Sequence, residues 1–447
     1  MRIPFRPIVT LPGALGLCLL LSAGPAAASP LITGSEENHA RLCLDYSDTL
    51  ERIAANCQAA LDMPGISEAT QFDVLLTLAW AQYEMDEMSA ARDALNQARG
   101  IRPETAGGYN LDGWLREAEG DLAGAEDSFR KALALSPDEE AYAGLATVIF
   151  TQDMARAEEA MGYLDLALLL APEYGYALRE KGWQLFQTDD YAGALQAYDR
   201  ALGLDPDDLN ALYVKARVLL SLNQPFEAIQ LISRALEQAP ESAFLYMYRA
   251  MAFRMQDFNM VALASAEKAI SLNPELTDAH VEKARALMGL YRYGDAVAAL
   301  QALMGTEMDN GYSRYWYALA LADDEQYEAA GEAIEVLTAS EAAVGADFEL
   351  KAFVAMALDQ DDVAQEAVER ALSLNPELSH ATYYKAVLAV RAHEVQAGIA
   401  AYRAAMEIEQ IGWAKKDFIR ELISAGYEAE ALALGQSEDA AWEGAAQ

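Results

Sequence analysis

The residue types that do chemistry are present in this chain, but not in spacings that would do it. Four histidines, His39, His280, His380 and His393, lie far apart and share no metal-ligand spacing. No glycine-rich phosphate loop, GxGxxG, HExxH or GxSxG occurs. Asp205, Asp207 and Asp208 resemble the start of a calcium loop, yet no glycine or closing glutamate follows at the offsets such a loop needs. Those aspartates suit a turn and the cap of the next helix better. The chain has 70 acidic and 32 basic residues and a net charge of −38, so pairs of acids are abundant everywhere and single out no general acid or base. The expectation is a protein that is not an enzyme, with no cofactor and no metal.

Two of the three cysteines, Cys43 and Cys57, are candidates for a covalent staple. On one continuous helix their Cα atoms would be about 21 Å apart at about 1.5 Å per residue, beyond disulfide reach. Tyr46-Ser47-Asp48 is a good break, with Ser47 or Asp48 able to cap a second helix carrying Leu50, Ile53, Ala54 and Cys57. Folded back as a hairpin, the cysteines meet; a disulfide over such a loop would contribute roughly 3 kcal/mol. A redox or metal pair is the other reading, although CxxC spacing is absent.

What must position any functional surface is a repeat. In Gly175–Asp208, Leu178, Lys181, Gly182 and Leu185 mark one face of a helix. Thr188-Asp189-Asp190 interrupts it, and Ala194, Tyr198 and Ala201 mark the inner face of a second helix that Pro206 ends. A step of 34 residues carries Ala194 onto Ala160, Ala228, Ala262, Ala296, Ala330, Ala364 and Gly398, and Gly182 onto Ala216, Ala250, Ala284, Ala318, Ala352 and Ala386. Upstream the phase slips by one residue near Asp138 and then holds through Gly113, Ala125, Ala79 and Ala91. Small residues at a fixed period let two helix backbones approach closely. Phe129, Leu164, Tyr198, Ile232, Leu300, Ile334, Val368 and Tyr402, four places after the second small site, fill the gap beside it.

This pattern resembles the tetratricopeptide repeat, a helix hairpin of 34 residues. The implied fold is all-α, a right-handed α-α superhelix of ten repeats over 72–412. Around it stand a signal peptide at 1–28, a linker at 29–36, a capping helix pair at 37–71, capping helices at 413–435 and a disordered tail at 436–447. In the C-terminal pair, Phe418, Leu422, Tyr427 and Leu432 are expected to face inward.

The resemblance implies that first helices line a concave groove that holds a peptide or protein segment. Carried onto this chain, that stripe contains Arg179, Trp183, Phe186, Tyr213, Arg217, Phe244, Met247, Met251, Arg254 and Arg285, with Trp80, Tyr83, Trp114 and Tyr176 before them and Tyr312, Tyr315, Phe353, Met356, Tyr383 and Arg391 after. A purely solvated face would be less aromatic. The four central arginines suit a partner segment mixing acidic and apolar residues; the other reading pairs them internally with Asp189, Glu180, Glu282 or similar neighbours. A row of cations, Lys181, Lys215, Arg249, Lys283, Lys351 and Lys385, precedes the first small site and is expected to bridge to acids on adjacent helices.

Arg2 and Arg6, an apolar run from Ile8 to Leu21 and Ala26-Ala27-Ala28 fit a secretory signal cut after Ala28. Leu17 before Cys18 argues against a lipoprotein signal, and no later stretch is apolar enough to span a bilayer. The expected location is a bacterial periplasm, with no membrane insertion of the mature chain. Cleavage removes two arginines and no acid, and so strong a negative charge excludes nucleic acid and anionic membranes as partners. A protein or peptide partner of unknown identity remains. A self-assembling architectural protein is the alternative.

Overall fold

The computed structural model describes residues 36–445 apart from Tyr46 and Ser47, with side chains from 39 to 436. The expected signal peptide and the linker up to residue 35 lie outside the described residues. Among those described there is no strand. The chain falls into two compact units, residues 2–240 and 241–447.

The first unit opens with α1 (Glu36–Cys43) and α2 (Leu50–Leu61). Five hairpins follow: α3 (Glu68–Glu84) with α4 (Met88–Ile101), α5 (Ala106–Ala118) with α6 (Leu122–Leu135), α7 (Glu139–Gln152) with α8 (Ala157–Leu170), α9 (Gly175–Gln187) with α10 (Tyr191–Leu204), and α11 (Leu209–Ser221) with α12 (Pro225–Gln238). Polar caps start many of these helices: the side chains of Ser67, Thr105, Asp121, Asp138, Asp190 and Asp208 each accept from a backbone N–H three residues on. The hairpin turns bend through one left-handed residue, Asp86, Gly120, Asp189 and Asn223. Between α7 and α8 the turn is instead a short 3-10 segment, Met154–Arg156, which accounts for the slip in the repeat phase.

Small residues sit where helices touch. A Cβ on Gly182 would lie 2.7 Å from the Tyr198 ring, and one on Gly113 would lie 2.7 Å from Phe129. Both rings are fully buried, so the large side chain of each second helix occupies the space that the glycine leaves.

Cys43 and Cys57 are buried between α1 and α2, with Cα atoms 4.6 Å apart and Sγ atoms 2.12 Å apart. They pack with Ile53 and Ala60 against Val74 and Leu78 of α3. The α2 cap is Thr49, whose backbone N–H donates to Asp48 Oδ1. Asp48 also pairs with Arg52, so it orders the break without capping the helix as expected.

The second unit has five hairpins and a final pair: α13 (Ala243–Arg254) with α14 (Asn259–Leu272), α15 (Thr277–Gly289) with α16 (Tyr293–Gln301), α17 (Gly311–Asp323) with α18 (Tyr327–Thr338), α19 (Gly345–Ala357) with α20 (Asp361–Leu374), α21 (Ser379–Arg391) with α22 (Val395–Ile408), and α23 (Ala414–Ser424) with α24 (Glu428–Ala445). Its hairpin turns use Asp257, Tyr291, Glu325, Asp359, His393 and Gly426 in the left-handed region.

Two expectations change at this end. Helix α24 continues through the segment expected to be a disordered tail, where alanine and glutamate favour helix. Leu432 is 63% exposed, and Ala431 and Leu434 face the core with Phe418 and Leu422. Counting back from Leu434, the buried face of α24 falls three residues away, on Ala431, and Leu432 lies off it.

Candidate interaction surface

The first helices of the first unit bring aromatic side chains and charges onto one face. On α9 and α11 the centre is Arg217. Its guanidinium lies 5.4 Å from the Trp183 ring, 5.3 Å from Phe186 and 5.6 Å from Tyr213. Trp183 and Phe186 also contact each other at 6.0 Å. Tyr213 itself is buried, so it is the floor of this cluster and not part of an exposed stripe. Arg179 bonds Asp208 at 2.7 Å. Asp208 therefore both caps α11 and neutralises the arginine one repeat earlier.

Nearer the N-terminus this face turns acidic. Trp114 Nε1–H donates to Glu140 Oε1 at 3.1 Å, and Asn110 Nδ2 reaches Glu140 Oε2 at 3.5 Å and Asp138 Oδ1 at 3.2 Å. Trp114 meets Tyr176 edge-on at 5.3 Å, and the Tyr176 hydroxyl is 3.0 Å from Thr147 Oγ1. Thr147 also hydrogen-bonds Glu180.

Removal from water pushes Glu140 up to about 7, with the charge of Asp138 adding to the rise and the bonds from Trp114 and Asn110 opposing it. Burial likewise lifts Glu180 to about 7 against the pull of Thr147 and Arg179, and Glu84 to about 7 against Arg179. Burial alone raises Glu117. Glu84, at the end of α3, thus feels Arg179 at the start of α9, three hairpins later. The first-helix face of this unit curls inward enough to gather four carboxyl groups from four helices.

In the second unit the arginines are already occupied. Glu282, 3% exposed, accepts from Arg254 Nε at 2.8 Å and from Arg285 Nη1 at 2.7 Å. Arg285 also lies 4.1 Å from the Trp316 ring. Arg391 bridges Asp361 and Glu421. The aromatic surface runs through Tyr327, Phe353 and Tyr384, the last two stacked at 6.1 Å. Phe244 and Met251 are half-buried, whereas Met247 and Tyr383 are buried; the latter pair fall on the packed side because each touches an aromatic or aliphatic neighbour of its own core.

The cation row forms a ladder. Lys181 pairs with Asp165 at 2.5 Å and Lys215 with Asp199 at 2.5 Å in the first unit. Lys283 pairs with Glu267 at 3.4 Å and Lys351 with Glu335 at 2.8 Å in the second. Each acid stands sixteen residues earlier, on the preceding second helix. Arg249, with Ser233 at that offset, lies over the Phe253 ring instead.

On α5 the sign reverses. Asp112 occupies the cation's place and accepts from Arg92 at 2.5 Å, Arg116 at 2.9 Å and Ser128 at 2.7 Å, with Arg99 at 3.2 Å. Burial works to raise Asp112, but the bonds from Ser128 and Arg116 and the charge of Arg99 hold it at about 2.

The partners of the groove arginines were only partly anticipated: Glu282 was named, Asp208 was not. The signal was present in the sequence. An acid 28 to 30 residues after the arginine places it at or near the next first helix, as for Arg179, Arg254 and Arg391. The gathering of Glu84, Glu117, Glu140 and Glu180 was missed altogether.

Profiles of the tetratricopeptide repeat match residues 185–251 in one case and 76–140 and 152–208 in another. The chain carries tetratricopeptide repeats, a class that generally mediates protein–protein interactions without catalysis. Among relatives, the heat shock protein sti1 homolog of Schizosaccharomyces pombe is 26% identical over 190 residues, 40% of this chain and 30% of that protein. Interferon-induced protein with tetratricopeptide repeats 2 of Mus musculus is 22% identical over 264 residues, 55% of this chain and 56% of that protein. The chain thus spans less than two thirds of the length of either relative. A tetratricopeptide repeat protein from Parabacteroides merdae, known as a crystal structure, aligns with 17% identity and a TM-score of 0.48 over 56% of this chain and 98% of that one. No described helix is long and apolar enough to cross a membrane.

Proposed function

We propose that this chain is a non-catalytic scaffold of the bacterial cell envelope that holds a peptide or protein segment on the first-helix face of each unit. In the first unit the contact set is Arg179, Trp183, Phe186 and Arg217 over the Tyr213 floor. In the second it is Phe244, Met251, Arg254 and Arg285, with Met247 behind them. The observation that carries the reading is the accessible aromatic surface on first helices, above all Trp183 and Phe186 around Arg217 and the Phe353–Tyr384 stack. Such surfaces supply apolar contact at low entropic cost to a partner. The N-terminal sequence supports export to a periplasm, where a Cys43–Cys57 disulfide would persist.

Affinity capture from envelope extracts with wild type, Trp183→Ala/Phe186→Ala and Phe353→Ala/Tyr384→Ala tests this. The reading expects partners lost from one or both double variants while their melting curves stay close to wild type. Identical capture by all three proteins would remove the first-helix faces from consideration.

Self-assembly is the second reading, favoured by Leu169, which is 76% exposed on α8 beside the exposed Leu166 and Leu170. Sedimentation at several concentrations separates the two: a monomer over the whole range leaves the scaffold, and association abolished by Leu169→Lys selects assembly.

A further inference from the structure

Resting on the reading of the first-helix faces as partner-binding surfaces, a feature of the first unit says what chemistry one of them accepts. Glu84, Glu117, Glu140 and Glu180 come from α3, α5, α7 and α9 and act on a common set of neighbours. Tyr83 feels Glu117, Glu84 and Glu140, and Glu180 feels Glu117. The one cation interacting with this group, Arg179, is bonded to Asp208. The walls are Trp114 and Tyr176, edge to face.

The floor is short of donors as well. Asn110 is 2% exposed, and its head lies against Glu140 and Asp138 through Nδ2, leaving Oδ1 with no hydrogen-bond partner. One turn beyond Glu180 on α9, Gln184 is fully buried with neither amide atom partnered. Native structures satisfy nearly all such groups, so a buried acceptor without a donor beside several carboxylates is an exception that asks for a donor.

We propose that this recess binds a lysine or arginine side chain of a partner's peptide segment. The carboxylates would meet the positive head and the orphan amide oxygen would take one of its N–H groups, while Trp114 and Tyr176 flank the aliphatic stem. An ammonium with three donors or a guanidinium with five matches an acceptor-rich floor. The carboxyl groups held near neutrality by burial would then ionise as the cation arrives.

The test uses the full chain and two defined probes, acetyl-Ala-Lys-Leu-Lys-Ala-amide and acetyl-Ala-Glu-Leu-Glu-Ala-amide, titrated calorimetrically at constant ionic strength. The lysine peptide should bind at least about tenfold more tightly than the glutamate peptide, and Glu140→Gln/Glu180→Gln should weaken it by about tenfold. An exposed-surface control, Glu158→Gln/Glu173→Gln, should leave its affinity unchanged. Equal loss in both variants means that the acidic body attracts any cation, which overturns the recess. Equal affinity for both peptides, or binding of neither, also overturns it. The capture experiment with the aromatic variants still decides the scaffold reading in either case. If the recess variant misfolds, the preference between the two peptides on wild type decides alone.

Discussion

The two units use the same hairpin and opposite charge strategies. In the second, one buried carboxylate, Glu282, serves two arginines, so charge on the first-helix face is consumed in holding neighbouring helices together. In the first, four carboxyl groups share a recess with a single, already engaged arginine. A repeat fixes where side chains stand. It does not fix whether their charges are satisfied within the fold, and unsatisfied charge is what a partner can read.

The sharpest way to break that contrast is to remove Glu282. Glu282→Gln takes the counter-charge from two half-buried arginines and should destabilise the second unit by about 3 kcal/mol, as breaking a buried ion pair does. Glu140→Gln in the first unit should cost far less at pH 8, because that carboxyl is held against its own preference for water. Chemical denaturation of the two variants decides, and equal losses would show that the units do not differ in this respect.

Next in size is the cysteine pair. Intact mass of exported protein should begin at Ser29 and be two hydrogens lighter than the reduced form. Cys43→Ser should then lower stability by roughly 3 kcal/mol. Hydrogen exchange should show the loss confined to α1–α4, since repeat contacts reach only near neighbours. Two free thiols in unreduced exported protein would dispose of the staple.

A pH effect comes third. Glu84, Glu140 and Glu180 have folded pKa values near 7, above the ordinary 4.5, so the folded state holds protons that the unfolded chain has released. Their stabilising share is complete below the unfolded value and is lost as pH rises through about 7. Asp112, held at about 2 against 3.8, acts in reverse: its share is present above 3.8 and lost as pH falls toward 2. Melting of the first unit should therefore drop between pH 6 and pH 8, and Glu140→Gln/Glu180→Gln should flatten that drop. An unchanged slope in the double variant would mean that these carboxyl groups ionise normally.

The smallest effect belongs to Tyr291. It is 82% exposed and sits at φ +57° in a turn where the equivalent residues are mostly Asp, Asn or Gly. Tyr291→Gly should raise stability by about 1 kcal/mol by relieving the left-handed backbone. A lower melting temperature would indicate that the ring makes a stabilising contact.

The array was legible because helix-pair spacing is written in side-chain size. Gly182, Ala194 and Tyr198 carry that information locally and repeat it, so no long-range inference is needed. The sequence also separated first helices from second and thus found Trp183, Phe186 and Arg217. Exposure was less legible: Tyr213 and Met247 stand next to accessible positions on their helices, and a shift of one residue in the assumed face turns a contact into core. Charge satisfaction was least legible. Arg179 finds Asp208 across a repeat boundary, and Glu84 meets Arg179 only because three hairpins curl, a property that no single period encodes.

The most direct test of a scaffold that binds through its first helices is site-specific photo-crosslinking in the exporting cell. Benzoylphenylalanine would replace Phe186, Phe353 or, on second helices, Leu169 and Glu237. Adducts at Phe186 or Phe353 to a heterologous protein, with none at Leu169 and Glu237, are what the structure predicts. Adducts only at the second-helix positions, or only to another copy of this chain, would contradict it.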